Sequence, residues 1–248
     1  VVGRGPLLTL VALTLSWPLA ALAYRPFNST DAAVADRGTV ELELGPVGYL
    51  VQGPDRTLVA PSAILNWGFA DGWEVVLEGR HFVQLGGEIH EPRLRVEDTA
   101  LSVKHVLREG SLQEKPGLSV ATEAGALLPT WNGESGVGAE WAGIVSQRWT
   151  DLTVHVNGAV AWTRAHEPGV FGGVILEGHH AWPVRPVAEL FVESERGSPE
   201  TLSGLLGAIW RFSEGLSLDA AVRRARAGGV DTTELRVGLT WGFGVGVP

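Results

Sequence analysis

The sequence predicts an all-β protein: an antiparallel, up-and-down transmembrane β-barrel of about 12 strands, following a cleaved signal peptide. Three observations lead there. Apolar and polar residues alternate with a period of two through most of the chain beyond residue 38, the pattern of strands with two unlike faces. The polar face of these runs carries charges of both signs. Tryptophan and phenylalanine gather at the ends of the runs and not at their middles, as a barrel wall in lipid requires.

The N-terminus reads as the signal. Arg4 precedes an uncharged run from Pro6 to Ala20, and Ala21-Leu22-Ala23 forms a small-x-small cleavage site before Tyr24. Spanning a bilayer as a helix takes ~20 apolar residues; this run is shorter and contains Pro18. The expected division is therefore a signal peptide over 1–23 and a barrel domain over 24–248. Further on, the best helical candidate, Leu118 to Leu128, is too short and holds Glu123, so any span must be built from strands.

The strands follow from the alternation. In Trp73 to Leu85, the residues Trp73, Val75, Leu77, Val83 and Leu85 share one side, with Glu74, Glu78, Arg80 and Gln84 opposite. Leu152 to Arg164 repeats this, with Leu152, Val154, Val156, Val160 and Trp162 set against Thr153, His155, Asn157 and Thr163. Near the end, Leu235, Val237, Leu239 and Trp241 oppose Glu234, Arg236 and Thr240. The full set of expected strands is 39–51, 57–69, 73–85, 96–107, 117–128, 136–149, 152–163, 170–180, 184–195, 201–212, 216–225 and 232–243.

The connections alternate in kind. Phe69-Ala-Asp-Gly-Trp73, Trp149-Thr-Asp-Leu152 and Phe212-Ser-Glu-Gly-Leu216 are short acidic turns, suited to tight hairpins. Following strands two, six and ten, Asp71, Asp151 and Glu214 belong at one end of the sheet, expected to face the periplasm. Longer connections at 52–56, 86–97, 129–135, 164–169, 196–200 and 226–231 belong at the other. The connection 109–116 should join the short-turn end but is long for it.

A soluble barrel could use the same alternation with its apolar face inward. The charge on the polar face argues for the inverse, a wet lumen. The residues expected to line it are Glu74, Glu78, Arg80, Glu140, Arg148, His155, Asn157, Glu189, Arg211, Arg223, Glu234 and Arg236. Phe82, Ile144, Phe191, Leu205 and Ile209 share those inward faces and offer an apolar path.

Composition excludes other classes. A net charge of −9 opposes nucleic-acid binding, which needs clustered Lys and Arg. The absence of cysteine rules out a disulfide scaffold or a thiolate metal site. His179-His180 is a poor half-site for a metal, because adjacent strand residues point to opposite faces. No cofactor and no metal are expected, nor is catalysis.

With that map in place, the chain resembles the bacterial outer-membrane β-barrel proteins grouped as phenol-degradation-pathway transporters. The resemblance rests on Phe27 to Asp31, the hairpin Trp67-Gly-Phe-Ala-Asp-Gly-Trp73, Gly117 to Trp149, and the ending from Gly204 to Asp219 that leads to Gly238-Leu-Thr-Trp-Gly-Phe243. It covers nearly all of the chain after residue 23 through generic barrel features, and it carries over no set of functional residues. It implies an outer-membrane channel, often linked to aromatic or hydrophobic compounds. One departure stands out: such barrels usually end on an aromatic that guides assembly, whereas Gly244 to Pro248 follow Phe243 here.

The expected function is passive passage of small molecules, aromatic or hydrophobic ones among them, through a narrow charged lumen in the outer membrane. Twelve strands lie between the filled 8-stranded barrel and the open 16–18-stranded porin. The expected partners are outer-membrane lipid, a small-molecule solute and the barrel assembly machinery. Two other uses stay open. One is a lipase-like barrel hydrolase, although no serine lies beside His155 and Asn157 in their own strand. The other is a plugged structural or adhesive barrel.

Overall fold

The computed structural model describes residues 25–87, 92–213 and 215–246. The expected signal peptide, and Glu214 of the third acidic turn, lie outside the described residues. Twelve strands run in chain order: β1 (Thr39–Gln52), β2 (Asp55–Ala70), β3 (Trp73–Gly86), β4 (Leu94–Arg108), β5 (Ser119–Leu127), β6 (Gly138–Arg148), β7 (Leu152–Trp162), β8 (Pro168–Gly178), β9 (Val184–Glu195), β10 (Thr201–Ser213), β11 (Leu216–Ala227) and β12 (Val230–Gly244). Each pairs antiparallel with its neighbours in sequence, and β12 returns to β1 to close the barrel. The seam runs from Thr39 opposite Gly244 to Gln52 opposite Thr232.

The wall is inside out relative to a soluble barrel. On β7 the outward Val156, Val160 and Trp162 are about half exposed, while the inward Thr153, His155 and Asn157 are buried. On β10, Leu202 and Leu206 are 62% and 71% exposed, while Leu205 between them is 2% exposed. Large apolar side chains left bare in this way would be untenable in water as one continuous belt and belong against hydrocarbon. Phe82, Ile144, Phe191, Leu205 and Ile209 are all buried inside.

The start of β1 and the end of β12 lie together at one rim. That rim, the turn end, carries the Asp71-Gly72 hairpin, with Gly72 at φ +73, and the turn Trp149–Asp151. Its girdle includes Trp67 tilted against Phe69, Phe69 tilted against Trp73, Trp210 stacked on Phe212 and Trp241 beside Phe243. Two of the connections expected to be longer at the opposite rim, the loop end, are tight instead. β1 and β2 pair through Gln52 opposite Asp55, and β11 and β12 through Ala227 opposite Val230. Gly53, Gly228 and Gly229, all at positive φ, provide the backbone for these turns. The strands simply run further than the alternation marked.

The long connection after β4 has a different role. It forms a 3-10 turn at Ser111–Gln113 that tucks the buried Leu112 inward, against Ala32, Ala33, Ala121 and Ile144. Ser119 Oγ accepts the Leu112 amide, and Ser111 Oγ accepts that of Arg148. The connection therefore closes part of the turn end.

The inverted wall leads to a direct expectation. Val156→Arg, at mid-strand on the outer face, should destabilise the folded barrel by about 2–4 kcal/mol in a bilayer; urea unfolding in vesicles measures it. Equal stability of variant and wild type would mean that Val156 does not face lipid.

Candidate functional site

Residues 25–37 enter the barrel instead of trailing from it. From the turn end, where Gly38 donates to the Gly68 carbonyl, the segment folds up into the lumen and ends at mid-height with Arg25. It is held mainly through its own backbone. Glu189 accepts the amides of Asn28 (3.1 and 3.0 Å) and Ser29 (2.6 Å), Asn157 accepts that of Thr30 (3.0 Å), Ser146 that of Ala32 (2.9 Å), Glu74 that of Ala35 (2.6 Å), and Glu43 that of Arg25 (3.0 Å). Donors answer as well: Asn157 Nδ2 reaches the Thr30 carbonyl and Arg236 Nη1 the Pro26 carbonyl. A backbone buried away from water must find such partners, and inward carboxylates and amides supply them. The fit is close. A Cβ on Gly68 would meet the Ala35 and Asp36 carbonyls at 2.3 Å, and one on Gly173 would meet Ser29 Oγ at 2.2 Å.

Above the segment, toward the loop end, lies a cavity of about 370 Å³. Its floor is Arg25 to Thr30, and Val59, Ile64, Val76 and Phe171 give it apolar surface. Its charges divide by wall. On one side Glu234 is the shared acceptor of Arg80 Nη2 (2.8 Å), Arg223 Nε (2.9 Å) and Arg236 Nη2 (2.8 Å). Arg80 also reaches Asp98 (3.2 Å), and Arg25 lies 3.6 Å from Asp219. On the other side, Glu74, Glu78, Glu123 and Glu140 face the space. Lys104 lies between Glu74 and Glu123 in the strand register and 3.5 Å from Asp31, and Ser102 donates to Glu123.

Below the segment a second constellation appears. Ser146 Oγ is 2.8 Å from His155 Nδ1, His155 Nε2 is 3.4 Å from Glu177, and Arg185 Nε holds the other Glu177 oxygen at 2.9 Å. Ser146 comes from β6, directly opposite His155 on β7. The missing serine is therefore supplied by the neighbouring strand. Ser146 is fully buried beneath Ala32, and the adjoining space, lined by Arg148, His155, Glu177, His180 and Arg185 among others, measures about 10 Å³, the size of one water. His180, in the β8–β9 turn, is held below its ordinary pKa by burial first, then by the Arg148 guanidinium and His179. It stacks on His179.

Of the residues expected in the lumen, Glu74, Glu78, Arg80, Glu140, Asn157, Glu234 and Arg236 line the larger cavity. Arg223 joins them through Glu234. Glu189 is spent on the segment, and Arg148 and His155 lie below it. Arg211 stands apart, exposed at the turn-end rim. Asp98, Arg164 and residues 25–30 were not foreseen in this role; the run of inward acceptors on several strands was the available signal for an internal guest. Among the described residues, no group of three or more His, Asp or Glu could hold a metal ion.

No family model matches the sequence, and no curated protein matches it. Solved structures do. An outer-membrane channel from Pseudomonas putida F1 is similar at TM-score 0.61 and 12% identity, over 88% of this chain and 99% of that one. The NanC porin is similar at 0.60 and 8%, over 82% and 98%. The KdgM porin is similar at 0.52 and 11%, over 81% and 98%. At these identities the likeness shows the fold, which is that of outer-membrane β-barrel channels.

The segment's anchoring can be tested at one residue. Hydrogen bonds to charged groups contribute about 1.5–3 kcal/mol each, so Glu189→Ala should raise the population of released segment tenfold or more. A cysteine at Asn28 in refolded protein should then react correspondingly faster with a thiol reagent; unchanged reactivity would mean that Glu189 does not hold the segment.

Proposed function

We propose that this protein is an outer-membrane channel through which small solutes pass when residues 25–37 give way. The observation that carries the reading is the closed barrel with a polar lumen, whose loop-end half is a cavity and whose turn-end half is filled by the chain's own N-terminal segment. A passage of this kind needs no cofactor, since a gradient drives it, and selects by radius and lining charge. Apolar patches at Phe27, Val59, Ile64 and Phe171 beside the charged walls favour solutes with an aromatic or hydrophobic part, in line with the family resemblance of the sequence. In this reading residues 1–23 are the export signal, the assembly machinery inserts the barrel, and the turn end faces the periplasm.

Filling and gating fit the same architecture: the segment is tied by hydrogen bonds from its backbone, which water can replace, more than by apolar packing. A serine beside a histidine and a carboxylate also favours a second reading, acyl hydrolysis, in which His155 is the base for Ser146. Against it stand the full burial of Ser146 and the Ala32 amide already bonded to its oxygen. A fluorophosphonate probe decides this: the channel reading expects no labelling at Ser146 in wild type or in Glu189→Ala.

The channel itself is tested by conductance of refolded protein in planar bilayers. Wild type should give small openings, and Glu189→Ala should increase the open time severalfold. Neutralising Arg80 and Arg236, which line the cavity, to Gln should move the reversal potential under a salt gradient toward cations, because removed positive charge changes the focused field of a narrow lumen. Silence from both wild type and Glu189→Ala would overturn the reading. Orientation has its own measurement: on intact cells a cysteine at Asn132 should react with an impermeant label and one at Asp71 should not.

A further inference from the structure

The outer face of β11 runs, from the turn end upward, through Leu218, Ala220 and Val222, and then Arg224 and Arg226. All five are exposed. A strand rises ~3.3 Å per residue, and tilted by 35–45° it climbs ~2.5 Å per residue through an apolar band about 25 Å tall. Measured from Leu216 beside the turn-end girdle, Arg226 falls near the far edge of that band and Arg224 roughly 5 Å inside it.

Across the barrel the same height is marked by aromatics. Trp162 lies as far along β7 from Leu152 as Arg226 lies along β11 from Leu216, and Trp141 pairs with Val160 at the level corresponding to Arg224. Where β6 and β7 place tryptophans at the headgroup level, β11 places two arginines on one face, two residues apart. Their own partners are few. Among the described residues Arg226 has only a loose contact with Asp231 (3.9 Å), both groups well exposed. Arg224 has no ion pair or side-chain hydrogen bond among the described residues. Its register neighbours are Gly204 on β10, which has no side chain to cover it, and the outward Thr233 on β12, which has a hydroxyl.

We propose that Arg224 and Arg226, with Thr233 beside them, form a membrane-facing site for a phosphate of the outer-leaflet glycolipid, lipid A. An unpaired guanidinium at the hydrocarbon edge must reach the headgroup layer for an anion, and a guanidinium fork matches phosphate oxygens bidentately. Two forks on one face can hold one phosphate group, while Asp231 keeps Arg226 from leaving the cluster altogether. The assignment to the outer leaflet rests on the orientation given above, in which the loop end faces outward.

The test is lipid binding by refolded protein in detergent, followed by native mass spectrometry. Wild type should retain diphosphoryl lipid A at least tenfold more strongly than lipid A stripped of phosphate. Arg224→Gln with Arg226→Gln should lose that preference while keeping heat-modifiable mobility on gels, the sign of a folded barrel, and Arg56→Gln should behave as wild type. Equal retention by wild type and the double variant, or no preference for the phosphorylated lipid, would overturn the site. Competition by inorganic phosphate at low millimolar concentration would make it a free-anion site instead and equally overturn the lipid assignment. A phosphate preference lost in the double variant, with the Asn132 cysteine unlabelled on cells, would place the site in the inner leaflet; there the orientation fails while the arginine site stands, and lipid A is ruled out as its ligand.

Discussion

Everything in this molecule depends on β12 meeting β1. A strand in hydrocarbon has nowhere to place an unpaired amide or carbonyl except on another strand, so a sheet in lipid is stable only when it has no edge. The seam satisfies this along nearly the whole length of both strands, with register shifts only near Pro46, where no amide is available for the ladder. Closure then dictates the two surfaces. What points out must tolerate lipid, and what points in is removed from lipid and may be charged.

The inward charges are put to two uses. Some are arranged against one another, as in the arginines that converge on Glu234. Others, such as Glu189 and Glu74, are turned toward the backbone of residues 25–37. A carboxylate that accepts amide hydrogens recognises a peptide without regard to its side chains, so the segment's position is specified more by the barrel than by the segment. Inner glycines make the room: Gly68 clears space for the passing main chain, and Gly45, Gly173 and Gly238 for side chains of the segment. The cavity above is what remains of the lumen once the guest is seated.

Much of the fold was legible because period-two alternation is a local signal. Each of the 12 expected strands overlaps an observed one, with ends differing by about two residues. The inward parity of Glu78, Arg80, Asn157 and Arg236 follows from the same signal. What could not be read is lateral. Alternation places Ser146 and His155 on inward faces of two strands but does not say that they stand opposite each other; that needs the register, fixed by turn geometry at Trp149–Asp151. The entry of residues 25–37 was hidden for a related reason. The segment has no period, its apolar stretch from Ala32 to Ala35 is too short to mark it, and its partners are spread over β1, β3, β6, β7, β9 and β12, a pattern visible only once those strands are wrapped around it. Arg211 shares the parity of its neighbours, yet parity says nothing of height, and its place at the rim separates it from the others.

The Glu234 cluster has a mechanical side. Glu234 belongs to β12 and Arg80 to β3, so their contact is a chord drawn inside the ring past β1 and β2, spanning three strand-to-strand interfaces including the seam. The ladder holds those interfaces from within the wall; the chord ties them from within the bore. Because Glu234 is almost wholly shielded from solvent, mobile ions have little access to weaken the tie. The seam and the two interfaces beside it are thus braced by an attachment that brine and fresh water would treat much alike.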